Sequence, residues 1–261
     1  MEKDNLTIYW SPVWEPISKD WTFLYPKPKT LFSSTKEHDI EKTYDSSNSN
    51  STKIFSCPAV SGKFKKIIVF ESPMSCSYQY DFFNFMIDGS HSIKPETKEY
   101  ISYNVIRKSS IDYGPSIDFS LRYIFFSEES LDAYFTPPMF HPPKYIKYGS
   151  VIPGEFNIGK WFRPYNFEVQ MWNKTGNFIL EEKEPLFYVE FKTDKKIILK
   201  RFNMTEKLNN IVSSCIESDS IFGIGRGLEK RYEKFESTDM RDIVLNEIKH
   251  NLVFESKPIE V

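Results

Sequence analysis

Histidine is scarce in this chain, with four residues at positions 38, 91, 141 and 250, and none of them forms His-x-His, His-x-x-His or His-Glu-x-x-His. Those spacings place two imidazoles on one face of a strand or helix, so a locally encoded metal site is not expected. His38 and Asp39 are adjacent and point to opposite sides of an extended chain, which excludes a facial-triad pair. Cysteine is scarce as well. Cys57, Cys76 and Cys215 are odd in number and widely spaced, as thiols in a reducing compartment are, and not as a disulfide framework requires. No apolar run approaches the roughly 20 residues that cross a bilayer; the longest, such as Ile67-Ile68-Val69-Phe70, have the length of a strand. The opening MEKDNLTIYW lacks the basic start and apolar run of a signal peptide, so a cytoplasmic protein is expected. The four Asn-x-Ser/Thr sequons, at Asn5, Asn50, Asn173 and Asn203, then carry no glycans.

Charge of one sign is also missing. The formal net charge is -2, which gives no sequence-wide positive field to gather nucleic-acid phosphates or anionic lipid. Nucleic acid and membrane are therefore set aside as partners, and a protein partner or a second copy of the chain is the expected kind of contact.

What is abundant is aromatic: 23 Phe, 15 Tyr and 5 Trp make up 16% of the chain. Rings suit pleated, half-buried sheet surfaces. Strands are predicted over 65–71, 77–87, 98–107, 117–126, 165–172, 186–192 and 196–202, several with clear alternation, as in Phe167, Val169 and Met171 against Glu168 and Gln170. Asp88-Gly89-Ser90, Tyr113-Gly114-Pro115, Pro153-Gly154 and Thr193-Asp194 punctuate them with turn chemistry. Leu208, Ile211, Val212, Cys215 and Ile216 then fall at helical spacing within 205–218, with Asn203 and Glu206 resembling a capping box. A second helix is predicted from about 239 to 250, with Met240, Ile243, Val244 and Ile248 on one face.

The fold class expected is all-β to α+β, an antiparallel β-sandwich or barrel core with two C-terminal helices, in one domain. Residues 1–35, where Pro12, Pro16, Pro26 and Pro28 alternate with aromatics, read as an extended arm, because each proline removes a ladder donor. Residues 36–53 are too polar to offset ordering and read as a flexible loop. The β-rich core spans 54–204, and the helical segment 205–261 packs on it.

Candidate chemistry is sparse. Phe222-Gly223-Ile224-Gly225-Arg226-Gly227 departs from a nucleotide-binding loop because position 228 is leucine and the segment follows a helix, so a helix-to-helix turn is the expected role. No Gly-x-Ser-x-Gly elbow occurs, and Cys57 has no local base. The most unusual stretch is Thr136-Pro137-Pro138-Met139-Phe140-His141-Pro142-Pro143, whose prolines favour polyproline II. It reads either as a rigid loop over one end of the core or as a pocket rim. The pocket reading gathers His141, Tyr145, Trp161, Arg163 and Glu168 as ligand-binding residues, with Tyr148 beside them. No catalytic residue, metal ligand or cofactor is assigned.

Phe135-Thr136-Pro137-Pro138, Trp161-Phe162-Arg163-Pro164-Tyr165-Asn166-Phe167, Trp172, Phe178 and Glu184-Pro185-Leu186-Phe187 together resemble part of an uncharacterised family of phage and bacterial proteins. That resemblance implies no activity. Pro153-Gly154-Glu155-Phe156 with the Glu184-Pro185 strand is similar to the closing strand of the β-clip fold of dUTPases and dCTP deaminases, which implies a fold alone. Two functional readings follow: a non-enzymatic structural or protein-interaction protein of phage or viral type, in host cytoplasm or virion, and a small-molecule enzyme or binding protein with its pocket near His141, Tyr145, Trp161 and Arg163.

Overall fold

Two-residue alternation sorts the rings of each long strand onto opposite faces, and this sorting builds the layers of the molecule. The computed structural model describes residues 5–13, 25–37, 58–81, 85–87, 105–107, 114–140, 142–216, 227–254 and 259–260. In chain order these form β1 (Asn5–Val13), β2 (Lys29–Thr30), α1 (Leu31–Glu37), α2 (Pro58–Lys66), β3 (Ile67–Glu71), β4 (Cys76–Tyr80), β5 (Phe85–Ile87), β6 (Val105–Arg107), β7 (Ser116–Ser127) and β8 (Asp132–Thr136). A 3-10 turn at Lys144–Lys147 leads into β9 (Gly149–Val151), β10 (Gly154–Asn157), β11 (Pro164–Met171), β12 (Gly176–Leu180), β13 (Pro185–Phe191) and β14 (Lys196–Arg201). The chain closes with α3 (Glu206–Ile216), α4 (Gly227–Ser237), α5 (Met240–His250) and β15 (Ile259–Glu260).

A seven-stranded sheet runs β15-β14-β1-β7-β11-β9, with β6 also on β7; a five-stranded sheet runs β10-β8-β13-β3-β2; and a three-stranded sheet runs β12-β4-β5. The pairings are antiparallel except β1 with β14, which is parallel from Asn5↔Lys196 to Trp10↔Arg201. The two larger sheets face each other. Ile8 and Trp10 of β1, Phe119 and Phe125 of β7, and Phe167 and Val169 of β11 meet Ile68 and Phe70 of β3, Phe135 of β8, and Phe187 and Val189 of β13 in one core. Rings fill it face to face and edge to face: Phe70 stacks on Phe187 at 5.0 Å, and Phe135 on Tyr165 at 3.8 Å. Each such pair is worth about 1 kcal/mol beyond the area it buries.

The reverse faces carry helices. Tyr9, Ile124 and Phe126 turn away from the core to meet Leu208, Val212, Phe235, Val244 and Ile248 of α3, α4 and α5. Ile67, Val69 and Tyr188 of the five-stranded sheet meet Leu31 of α1 and Phe64 of α2. The order of layers is helix, sheet, sheet, helix. No closed barrel forms among the described residues, so the core is the sandwich form of the expected class.

Three differences from the sequence reading have local causes. β1 is an interior strand despite Pro12, because its ladder with β14 ends at Trp10 and the missing N–H falls beyond it. Three C-terminal helices are described where two were expected: α4 begins at Gly227, inside the segment read as a turn, and positions 217–226 lie outside the described residues. The cap of α3 is Thr205, whose Oγ1 accepts the Leu208 N–H at 3.2 Å, because the helix starts at Glu206 and leaves Asn203 too far upstream.

Candidate functional site

β9 is an edge of the seven-stranded sheet and β10 an edge of the five-stranded one, and Ile152-Pro153 joins them. Where these edges part, a cleft of about 330 Å³ opens between β10, the start of β11 and Tyr232 of α4. Ile152, Pro153, Phe156 and Pro164 give it apolar walls, and Glu155, Arg163, Tyr165, Asn166, Glu168 and Tyr232 give it polar ones.

The segment entering β11 explains how these groups are held. Trp161 and Phe162 are fully buried on the helix side of the seven-stranded sheet, and Pro164 is buried at the start of the strand. Arg163 between them is left half-buried at the cleft, where it forms no hydrogen bond or ion pair among the described residues. Trp161 stacks on Tyr232 with centroids 3.7 Å apart and planes within 12°, so a core ring fixes the ring that closes the cleft. Burial pushes the Tyr232 phenol up from its ordinary value, while the Arg163 charge pulls it down.

Along β11 the alternation sends Phe167 and Val169 into the core and leaves Asn166 and Glu168 half-buried on the other face. A register shift between Asn166 and Phe167 sits at the cleft. Glu168 lies directly opposite Asp118 of β7, and Asn166 opposite Arg122. Asn166 Nδ2 donates to Asp118 Oδ2 at 3.1 Å, and Arg122 Nη2 lies 3.9 Å from the same oxygen. Ser116 Oγ donates to Glu168 Oε1 at 2.7 Å. Tyr165 hydroxyl donates to the Ile152 carbonyl at 3.3 Å, and its phenol is pushed up by burial and then by the Glu168 charge.

Of the five residues chosen from sequence, Arg163 and Glu168 line the cleft together. Trp161 lies behind it as the support of Tyr232. Tyr145 is fully buried elsewhere in the core, its hydroxyl donating to the Leu186 carbonyl and its phenol pushed well up by burial. His141 lies outside the described residues. Tyr148 packs against the rim of the main core. Glu155, Tyr165 and Asn166 were missed although two of them neighbour Arg163. Tyr232 comes from a helix 64 residues beyond Glu168 and left no local signal in the sequence.

Among the described residues no three His, Cys, Asp or Glu side chains gather as a metal site. No helix among them is long and apolar enough to cross a membrane. No family model, curated protein or solved structure matches the chain, and neither the phage-family nor the β-clip resemblance finds support there.

Proposed function

We propose that the protein binds a small organic molecule in the cleft between β10, β11 and α4. The observation that carries this reading is Arg163: a half-buried guanidinium without an ion pair among the described residues, aimed at a cavity whose other walls supply carboxylate, amide and phenol groups. Pockets of this size with apolar walls and a few converging polar groups are the common form of ligand sites. A buried or half-buried charge left without a partner costs stability, and a ligand that pairs with it recovers that cost on binding.

The test is a thermal-shift screen of the full chain against small metabolites, repeated on Arg163→Gln. A ligand at 100 times its Kd stabilises by about 2.7 kcal/mol. The reading expects a compound that raises the melting temperature of the wild-type chain and fails to raise that of Arg163→Gln. An equal shift in both proteins would move the site elsewhere, and no shift across the screen would remove the reading.

Protein interaction is the second reading, favoured by large apolar side chains at the surface: Phe254 is 93% exposed, Met139 62% and Trp172 45%. Light scattering of the purified chain and of Phe254→Ser tests it, since an assembly that depends on Phe254 would dissociate in the variant.

A further inference from the structure

Taking the cleft as the ligand site proposed above, we infer that it receives the free C-terminal end of an extended peptide, which adds to the open edge of β10 and places its carboxylate on Arg163.

The hydrogen-bond pattern of β10 fixes which of its main-chain groups are open. Gly154 to Asn157 run antiparallel to β8, in register from Gly154↔Phe135 to Asn157↔Asp132. The next residue, Ile158, donates its N–H to the Leu131 carbonyl at 2.8 Å. Directly opposed residues of an antiparallel ladder alternate between pairs that exchange both main-chain hydrogen bonds and pairs that exchange none. Counting back from Ile158, Phe156 and Gly154 bond to β8, while Glu155 and Asn157 turn their N–H and C=O the other way. Among the described residues β10 has no strand on that second side. Glu155 therefore offers a donor and an acceptor along an open sheet edge.

That edge lies at the cleft. Successive side chains of a strand point to opposite faces, so a strand that meets a cavity with one face lines it with alternate residues. Here Pro153, Gly154, Glu155 and Phe156 line the cleft in unbroken succession, as a strand does when it meets a cavity along its edge. Gly154 leaves the main chain bare, and even an added Cβ there would meet nothing within 4 Å. An extended segment laid along such an edge gains main-chain hydrogen bonds whatever its sequence.

The two ends of the edge limit what can lie there. Pro153 has no N–H to give, and the Asn157 carbonyl already accepts the Lys160 N–H at 3.4 Å. Glu155 is thus the one residue of β10 that can exchange a full pair of hydrogen bonds. So short a ladder suits a chain terminus of a few residues and does not extend into the sheet of a second copy. Arg163 selects the terminus. Among the described residues it is the one cation lining the cleft, and it forms no ion pair there. A guanidinium takes a carboxylate through two parallel N–H donors, and a free α-carboxylate supplies that partner.

The experiment is chemical-shift titration of the isotope-labelled full chain with pooled N-acetyl tripeptides bearing free carboxylates, beside the same pools as C-terminal amides and as backbone N-methylated acids. The free acids should bind about tenfold or more tighter than the amides, and the Glu155 amide proton should move downfield as it gains an acceptor. Backbone N-methylation removes the ligand's donors and should weaken the acids by about fivefold. Arg163→Gln should bring acids and amides to the same affinity. Glu155→Pro removes the edge N–H, which β8 does not use, and should bind the acids about fivefold more weakly than Glu155→Gln, which keeps it. If Glu155→Pro fails to fold, the N-methylated pools make the same comparison on the wild-type chain. Equal affinity for acids and amides, N-methylated acids that bind as tightly as their parents, or a folded Glu155→Pro that binds like Glu155→Gln would each overturn the peptide assignment. Should no peptide pool bind while a compound from the metabolite screen does and loses affinity in Arg163→Gln, the cleft stands as the ligand site and the peptide assignment falls alone. If neither the pools nor the metabolite screen yields a binder, both fall together.

Discussion

The Tyr9 hydroxyl donates a 2.6 Å hydrogen bond to Glu128 Oε1 across 119 residues of sequence. It ties β1 to the end of β7, and the same carboxylate takes Lys249 of α5 at 3.1 Å. Arg241 of α5 completes the clasp, donating from Nε to the Gly159 carbonyl at 3.0 Å and from Nη2 to the Glu128 carbonyl. One point on the seven-stranded sheet thus holds the last helix of the chain.

The clasp has a pH signature. The Tyr9 hydrogen bond, with help from Lys249 and Arg241, holds the Glu128 carboxyl below its ordinary value, against a smaller opposing effect of burial. A folded-state pKa below the unfolded one gives stability that is present above about pH 4.3 and is lost as pH falls through the folded value. Tyr9→Phe should destabilise by about 1 kcal/mol at neutral pH. It should also flatten the fall in stability between about pH 5 and pH 3. Urea denaturation midpoints across that range check both, and an unchanged acid limb in the variant would show that Glu128 is held by the cations alone.

Glycine is required at one position near this clasp and not at another near the cleft. A Cβ at Gly159 would lie 1.9 Å from the Glu129 carbonyl oxygen, whereas one at Gly154 would meet nothing within 4 Å. Gly159→Ala should cost about 2 kcal/mol or more, since rigid backbone cannot yield, and Gly154→Ala should leave stability within about 0.5 kcal/mol. Thermal denaturation of the two variants makes the comparison, and similar melting temperatures would contradict it.

The central ring stack should tolerate truncation poorly. Phe187 stacks on Phe70 at 5.0 Å and touches Tyr123 and Tyr165 at 5.6 and 4.9 Å. Phe187→Ala should cost about 4 kcal/mol, from lost burial and the cavity left behind, while Phe187→Leu should cost less than half of that. A guanidinium unfolding series reads the order directly.

Support of the cleft by Trp161 has its own readout. Tyr232→Phe keeps the ring that lies 3.7 Å from Trp161 and should preserve the near-ultraviolet circular dichroism. Tyr232→Ala removes the ring and should reduce that signal with little change in the far-ultraviolet spectrum. Equal spectra for the two variants would mean that the stack does not order Trp161.

How much of this was legible beforehand follows the strength of the local pattern. Predicted 117–126, 165–172, 186–192 and 196–202 match β7, β11, β13 and β14 to within a residue at each end, because Phe167, Val169 and their like alternate without interruption. The stripe from Leu208 to Cys215 marked α3 for the same reason. β8, β9, β10 and β12 were missed: they are three to five residues long, and their pairing with longer strands defines them more than their composition does. Residues 58–66, with Gly62 and three lysines, gave no stripe, yet they form α2 because Phe64 seats among Leu31, Val69 and Tyr188. At the site, Arg163 and Glu168 could be chosen as polar groups among aromatics. Tyr232 could not, since only tertiary packing of α4 on Trp161 brings it there.

The cleft between β10, β11 and α4 is the proposed ligand site. Amide chemical-shift mapping of the isotope-labelled chain, titrated with the best binder from the metabolite screen, tests it most directly. The largest perturbations should fall on Gly154, Glu155, Tyr165, Asn166, Glu168 and Tyr232. Perturbations centred on Tyr145, Phe254 or the outer faces of α1 and α2, with the cleft amides unmoved, would contradict it.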